Sequence, residues 1–213
     1  MKIMIVDDHP VVRKGIKSIL ESEDDINVTA EAESYDEALE KLGVDLPDLA
    51  IVDIELKGSE NGVALIKSIK DKYPQVKTLV MSMDDGSLYA ERSIRAGALG
   101  YIAKEEASER IVSAIHQVMS GELYLSSKLS KMIASSHIMG ANDKGPDVTT
   151  LSNKEFEIFK LIGQGYKRSE ISKKMSMNIN TIESHRRKIR EKLDIKNSAD
   201  LSRMAVKWYV DSQ

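Results

Sequence analysis

Over the first 121 residues, short apolar runs alternate with longer stretches whose apolar positions recur at helical spacing. The apolar runs predict five β-strands, at Lys2–Val6, Ile26–Ala30, Leu49–Ile54, Thr78–Met81 and Gly100–Ala103. The amphipathic stretches predict helices near Val11–Leu20, Tyr35–Leu42, Val63–Tyr73, Ser87–Ala96 and Ser108–Met119. Because crossovers between parallel strands are right-handed, this alternation implies an α/β fold: a doubly wound, five-stranded parallel sheet with helices on both faces.

The pattern from position 149 onward is helical throughout and opens with clear helix-start signals. Ser152 and Glu155 have the spacing of a capping box, and Leu151 with Phe156 can form a hydrophobic staple. Gly165 is placed to end this helix in the left-handed conformation. Three further helices are predicted at Ser169–Met175, at Thr181–Leu193 with Asn178 as its cap, and at Ala199–Val210. The chain therefore ends in a small all-α domain.

Between the two patterns the periodicity decays. Residues Ser126–Met139 could form a helix, but the following HIMGANDKGPD is rich in Gly, Asn, Asp and Pro, which is typical of a linker. We therefore predict an α/β domain over residues 1–121, a partly helical linker over 122–148 and a helical domain over 149–213. Within the first domain, Ser34 and Glu37 have capping-box spacing at the start of the second helix.

Composition and charge narrow the classes of protein. There is no cysteine, which excludes disulfides, thiolate metal sites and cysteine nucleophiles. Residues 147–213 carry 14 Lys and Arg against 9 Asp and Glu, a surplus of five, so a total of −3 leaves −8 for residues 1–146. An acidic first part and a basic second part indicate a different partner for each, although chance variation of surface charge would give the same asymmetry.

Targeting signals are not apparent. The start MKIMIVDDHP lacks the long apolar region of a signal peptide, and no stretch approaches the roughly 18 apolar residues of a membrane span. We expect a soluble, cytoplasmic protein with no membrane partner.

The ends of the predicted strands carry the groups with chemical potential. Asp7 and Asp8 follow the first strand, Asp53 stands on the third, and Ser82 and Lys104 follow the fourth and fifth. The carboxyl ends of parallel strands form one edge where sites are built. Three carboxylates without thiol or imidazole form a hard oxygen site suited to Mg²⁺ or Mn²⁺, and the lysine and hydroxyl suit a phosphoryl group. Asp53 could then act as a nucleophile towards phosphorus.

The third helix of the second domain carries candidate nucleic-acid contacts. Ile182, Ile189 and Leu193 fall within one narrow arc, so polar residues project from the other side. Two interpretations of this pattern are open. The polar side chains could form an ordinary solvated helix face, or the helix could lie in the major groove and present them to the base edges. On the second reading Arg187 pairs with guanine and Glu183 accepts from cytosine. The candidate contacts of this helix are Thr181, Glu183, Ser184, Arg187 and Lys188.

Residues 1–121 resemble a CheY-type receiver domain, through the motifs IVDDHP, LAIVDIELKGSENG, LVMSMDD and GALGYIAKE. The resemblance implies that Asp53 is the phosphoacceptor and that Asp8 and Asp53 bind Mg²⁺ directly. It further implies that Asp7 assists and that the backbone carbonyl of Glu55 completes the metal site.

The same resemblance assigns roles to three further residues. Lys104 is implied as the lysine that contacts the phosphoryl group, and Ser82 and Tyr101 as switch residues, with Tyr101 rotating into the space that Ser82 leaves. One departure concerns the turn after the third strand. Leu56-Lys57 stands where the family usually has Met-Pro, and Gly62 falls one residue late, so the turn is expected to be a residue longer.

Residues 149–210 resemble the four-helix DNA-binding domain of the NarL/FixJ (LuxR-type) regulators, through LSNKEFEIFKLIGQG, EISKKM and NTIESHRRKIREKL. Family members usually have lysine where Glu183 stands, so target preference cannot be carried over. Lys167 replaces the usual serine cap of the second helix. The expected phosphate contacts are Lys154, Lys167, Arg168, Arg186, Arg187, Lys188, Arg190 and Lys192.

Taken together, the resemblances imply a response regulator that is phosphorylated by a sensor histidine kinase and dimerises more strongly when phosphorylated. It would bind double-stranded DNA at paired half-sites, with RNA polymerase as a further candidate partner. On this reading the chain is not an enzyme. Two alternatives stay open: a Mg²⁺-dependent aspartyl-phosphate phosphatase with Glu55 as general acid, and an interaction protein that works without phosphorylation.

Overall fold

The computed structural model describes residues 1–56, 60–83, 87–127, 129–131, 133 and 148–211, without the side chains of residues 87, 88 and 149. The chain divides into two compact units, Met1–Gly140 and Ala141–Gln213, which are described in turn. No helix in the described part of the chain has the length and apolar character that crossing a membrane requires.

The first unit is the five-stranded parallel sheet that the sequence pattern predicts. Its strands are β1 (Lys2–Val6), β2 (Asn27–Ala32), β3 (Leu49–Asp53), β4 (Lys77–Ser82) and β5 (Gly100–Ala103), in the order β2-β1-β3-β4-β5. The helices that alternate with them are α1 (Pro10–Leu20), α2 (Tyr35–Leu42), α3 (Gly62–Lys72), α4 (Ser87–Ala96) and α5 (Lys104–Met119). The predicted fold class is therefore confirmed for this unit.

The core of the first unit lies on both faces of the central strands. Every residue of β3 is buried, as a parallel strand covered on both faces requires. One face packs against α1 and α5, where Ile16, Leu20, Ile111 and Ile115 join the strand residues Ile3 and Ile51. This packing fixes the carboxyl ends of β1, β3, β4 and β5 at one edge of the sheet.

Two local details differ from the sequence-based prediction. Helix α5 begins at Lys104 rather than at Ser108, because Glu105 and Glu106 stabilise the positive end of the helix dipole in its first turn. At α2, the hydroxyl of Ser34 accepts from the N–H of Glu37 at 3.3 Å, but the Glu37 carboxylate accepts from the N–H of Glu33 at 2.8 Å. The predicted capping box is therefore only half formed.

The segment after α5 returns to the free edge of β5. The N–H of Tyr101 donates to the carbonyl of Tyr124 at 2.9 Å, and the N–H of Tyr124 donates to the carbonyl of Leu99 at 3.0 Å. Residues 127, 129–131 and 133 are helical, and the rest of the predicted linker up to position 147 lies outside the described residues. The start of the linker is thus hydrogen-bonded to the last strand.

The described residues of the second unit, 148–211, form a short 3₁₀ turn, Val148–Thr150, and the four helices that the sequence predicts. They are α6 (Asn153–Gly163), α7 (Arg168–Lys174), α8 (Ile179–Lys192) and α9 (Ser198–Asp211). The predicted capping box of Ser152 and Glu155 is present. Gly165 has φ of +86°, with its N–H bonded to Ile162 and the N–H of Tyr166 bonded to Leu161, which is a Schellman motif.

The core of the second unit is built around the contact of α6 with α9. Trp208 packs edge-on against Phe156, with ring centroids 5.4 Å apart, and against Phe159 at 5.6 Å. A Cβ on Gly163 would lie 2.6 Å from the carbonyl oxygen of Ala205, so the two helices can approach closely only because this position is glycine. The buried arc of α8 completes this core.

Candidate functional site

Acidic side chains from β1 and β3 meet at the carboxyl edge of the sheet. Ligand atoms of Asp7, Asp8, His9 and Asp53 all lie within 4.8 Å of one another. Asp7, Asp8 and Asp53 are 0%, 8% and 2% exposed. Carboxylates that are buried this deeply need a cation or several hydrogen bonds to offset the loss of hydration.

Lys104 supplies one such cation from the start of α5. Its Nζ lies 2.6 Å from Oδ2 of Asp53 and 2.7 Å from Oδ2 of Asp7. The ammonium therefore bridges two carboxylates that come from different strands. Because α5 begins directly after β5, the first helical residue stands at the same edge of the sheet as the acids.

Burial and charge shift the titration of this pair. Burial raises the pKa of Asp53 to about 6, although the hydrogen bond and charge of Lys104 act in the opposite direction. Burial also opposes the charged form of Lys104, but its hydrogen bonds to Asp53 and Asp7 prevail and raise its pKa above the usual value. At neutral pH the lysine is charged and most of the Asp53 population is ionised.

His9 belongs to this cluster and was not among the residues selected from the sequence. Its Nδ1 lies 2.7 Å from Oδ1 of Asp8 and 3.2 Å from Oδ1 of Asp7. The residue is the N-cap of α1, and its side chain is 62% exposed. Its position directly after two strand-end acids was the available signal.

The other residues implied at this edge lie on or beside the ends of β3, β4 and β5. Ser82 is the last residue of β4, and Tyr101 lies within β5 and is 2% exposed. Glu55 is exposed, and its N–H lies 3.3 Å from Oδ1 of Asp53. Of the turn that was expected to be longer, Leu56 is described, and Lys57 lies outside the described residues.

Gly62 brings the start of α3 against the backbone of β3. Its N–H donates to the carbonyl of Ile54 at 2.9 Å. A Cβ at this position would lie 1.8 Å from the carbonyl oxygen of Asp53. Asn61 caps the helix by accepting from the N–H of Ala64 at 3.1 Å. Glycine at position 62 is therefore required by close approach to the acidic strand.

The acidic cluster fits a hard divalent cation. Octahedral Mg²⁺ binds oxygen at about 2.0–2.1 Å, so opposite ligands lie about 4.2 Å apart. The four donor groups already lie within 4.8 Å of one another, and three of them are carboxylates. The carboxylates of this cluster therefore fit an ion of this type.

Helix α8 presents a polar face away from the core of its unit. Ile182, Ile189 and Leu193 are buried, as the periodicity predicts. The exposed residues of the opposite face include Thr181, Ser184, Arg187 and Lys188. At the start of α7, the N-cap Lys167 and the first helical residue Arg168 are also exposed.

Two basic residues of α8 have partners within the unit that differ from the phosphate role expected of them. Arg186 is 8% exposed, and its Nε lies 3.5 Å from Oε1 of Glu183. Lys192 Nζ lies 2.7 Å from Oε2 of the buried Glu155. Burial would raise the pKa of Glu155, but hydrogen bonds from Lys192 and Ser152 hold it below its usual value. Arg186 is therefore buried within the unit, whereas Lys192 stays exposed while it pairs with Glu155 of α6.

The remaining basic candidates differ in their exposure. Lys154 and Arg190 are half-buried, and Arg187 contacts Glu191 at 3.7 Å while staying exposed. His185 has a pKa below its usual value because of burial, which agrees with a packing histidine.

Both units have the arrangement of known families. The family described as "Response regulator receiver domain" matches residues 3–116, and the family described as "Bacterial regulatory proteins, luxR family" matches residues 149–205. A parallel sheet with an acidic edge, followed by a helix-turn-helix unit, defines the class of DNA-binding response regulators. The chain belongs to this family, in its NarL/FixJ branch.

Individual relatives span the whole chain. The oxygen regulatory protein NreC of Staphylococcus aureus is 35% identical over 211 residues, which is 97% of both chains. RcsB of Salmonella enterica serovar Typhimurium, bound to promoter rprA with phosphomimetic BeF3⁻, is 25% identical with a TM-score of 0.66, covering 97% of this chain and 98% of RcsB. A structure of two RcsB dimers on two parallel DNAs is 26% identical with a TM-score of 0.60, covering 100% and 98%. These findings support phosphorylation-dependent regulation of transcription.

Proposed function

We propose that Asp53 accepts a phosphoryl group from a sensor histidine kinase with the help of Mg²⁺, and that this event controls DNA binding by residues 149–213. The observation that carries the proposal is the bridge from Lys104 Nζ to Oδ2 of Asp53 at 2.6 Å within the acidic cluster. The receiver would extend over residues 1–121, and the linker over 122–148.

The chemistry follows from the groups around Asp53. A carboxylate oxygen of Asp53 attacks the phosphorus of a phosphohistidine, the P–N bond breaks, and the imidazole leaves with the electron pair. Bound Mg²⁺, held by Asp8, Asp53 and the carbonyl of Glu55 with Asp7 assisting, would neutralise charge between the carboxylates and the phosphoryl group. Lys104 would then contact a phosphoryl oxygen in place of one of its two carboxylate contacts.

Ser82 and Tyr101 fit the role of a switch in this proposal. Ser82 ends β4, and Tyr101 lies in the neighbouring strand β5 with Val80 as its register partner, two residues before Ser82. The chain acts as a regulator rather than an enzyme, because the receiver supports only its own phosphotransfer and dephosphorylation.

Replacement of Asp53 tests the phosphorylation step. The Asp53→Ala protein is incubated with acetyl phosphate and Mg²⁺. Its intact mass should show no added phosphoryl group. The matched control is Asp71→Ala, which removes an exposed carboxylate from α3 and should be labelled like the wild type. Normal labelling of the Asp53→Ala protein would refute this assignment.

For DNA, we propose that α8 enters the major groove and that a phosphorylated homodimer binds two half-sites. The exposed basic residues of α7 and α8 support this, as do the complex of RcsB with promoter DNA and the RcsB dimers bound to DNA. Binding to a duplex should weaken steeply with salt, because phosphate contacts release counterions. Arg187→Ala should weaken binding at least about tenfold, whereas Lys207→Ala on α9 should have little effect. A flat salt dependence would favour the interaction-only alternative.

A further inference from the structure

The outward face of α8 carries an acid among its basic and hydroxyl side chains. Glu183 lies two residues from Thr181 and next to Ser184, and its side chain is 40% exposed. DNA phosphates repel a carboxylate, so an acid on a helix that enters the groove lowers affinity unless it is neutralised or meets a hydrogen-bond donor. Glu183 therefore requires an explanation that the proposed phosphate contacts do not provide.

Two arginines, one on α7 and one on α8, lie near this carboxylate. Nη1 of Arg168, at the start of α7, lies 3.4 Å from Oε1 of Glu183, and Nε of Arg186 lies 3.5 Å from the same oxygen. The Arg186 side chain is only 10% exposed, so this cation is fixed within the unit. The two cations offset the charge of Glu183 and restrict its rotamers. Both of these contacts are made to the same oxygen, Oε1.

The bases that a carboxylate can contact in the major groove are few. It accepts hydrogen bonds and donates none, so it is repelled by the O6 and N7 of guanine and the O4 of thymine. Adenine offers an N6 amino group but places the acceptor N7 beside it. Cytosine offers the N4 amino group without an adjacent acceptor of its own, so it is the base that suits a lone carboxylate.

We propose that Glu183, held by Arg168 and Arg186, is the residue that selects a cytosine at one position of each half-site. The inference rests on the proposed DNA-binding function and deepens it, because it names the base that this helix prefers. The chemistry of this position also differs from the lysine that the family usually has there. A lysine at this position would donate to guanine, so the two side chains predict opposite bases of the pair.

Unbiased selection of bound duplexes by the full-length chain, treated with a phosphoryl donor, tests the proposal. The wild type should select a half-site with one position at which cytosine is favoured by about 5- to 150-fold, the discrimination of one good base contact. Glu183→Gln should move that position towards adenine, and Glu183→Lys towards guanine. Glu191→Gln, which removes the other acid of α8, is the matched control and should keep the cytosine.

A base analogue gives a second measurement that does not depend on a shifted motif. Replacing the selected cytosine by 2-pyrimidinone, which lacks the amino group, should weaken wild-type binding by the same factor as Glu183→Ala, and the two changes together should cost no more than either alone. Additive losses, or an unchanged motif in both Glu183 variants, would overturn the proposal while leaving DNA binding intact. If the wild type selected no motif, the proposed function itself would fail.

Discussion

Gly62→Ala tests whether the start of α3 holds the acidic strand in place. The added Cβ would lie 1.8 Å from the carbonyl oxygen of Asp53, and ordinary contact begins at 3.4 Å, so the two backbones must separate by 1.6 Å. Overpacking of this kind costs about 1–3 kcal/mol, and loss of the hydrogen bond from Gly62 to Ile54 about 0.5–1.5 kcal/mol more. We expect the free energy of unfolding of the first unit to fall by about 2–4 kcal/mol.

The same shift should impair phosphorylation, because it moves Asp53 itself. A displacement of about 1 Å at a reacting group can slow a reaction by about 100-fold, so labelling by acetyl phosphate should slow by about 10- to 100-fold. Gly15→Ala is the matched control. Gly15 lies inside α1 with open space around the added Cβ, and the change should stabilise the unit by about 0.5–1 kcal/mol.

Urea unfolding with two probes separates the effect from damage elsewhere. The single tryptophan, Trp208, packs in the second unit and reports on that unit by fluorescence, whereas far-ultraviolet circular dichroism reports on both. Gly62→Ala should lower the midpoint of the first unit and leave the fluorescence transition unchanged. An unchanged midpoint together with a normal labelling rate would refute the close-approach argument.

Three further predictions concern charges and the sheet edge. The first prediction is made in EDTA, which keeps metal ions from the site. The pKa of Asp53 is about 6 in the folded state and 3.8 in the absence of folding, so the folded state binds this proton more tightly than the unfolded state does. The free energy of unfolding should therefore fall by up to about 3 kcal/mol as the pH rises from 4 to 6, and Asp53→Asn should lack this loss. Lys192→Met leaves Glu155 buried without its cation and should destabilise the second unit by about 1–3 kcal/mol, read from tryptophan fluorescence in urea. Tyr124→Pro should release the edge segment and speed amide hydrogen exchange at Tyr101.

Each of these has an outcome that contradicts it. Parallel pH profiles of the wild type and Asp53→Asn would mean that Asp53 does not titrate differently in the folded state. An unchanged unfolding midpoint in Lys192→Met, equal to that of the control Lys207→Met, would show that the pair with Glu155 contributes nothing. Unchanged exchange at Tyr101 would mean that its amide is protected by another acceptor.

Much of the fold followed from local pattern. Four of the five strands lie within one residue of their predicted bounds at both ends because buried strands need continuous apolar runs, and β2 ends two residues late. The start of α5 was misplaced because Lys104-Glu-Glu is polar and carries no apolar stripe, although acids at a helix start are themselves a signal. His9 was missed because an exposed imidazole after a strand has many ordinary explanations.

The sequence by itself determined the alternation of strands and helices, the caps at Ser152 and Gly165, and the strand ends on which the acids stand. These are properties of neighbours in the chain, since hydrophobic period and capping geometry extend over a few residues. Only the tertiary structure decided that Lys104 contacts Asp7 as well as Asp53, and that Lys192 pairs with the buried Glu155. Such contacts join side chains from different elements, and their partners are chosen by how the elements pack, which local spacing does not encode.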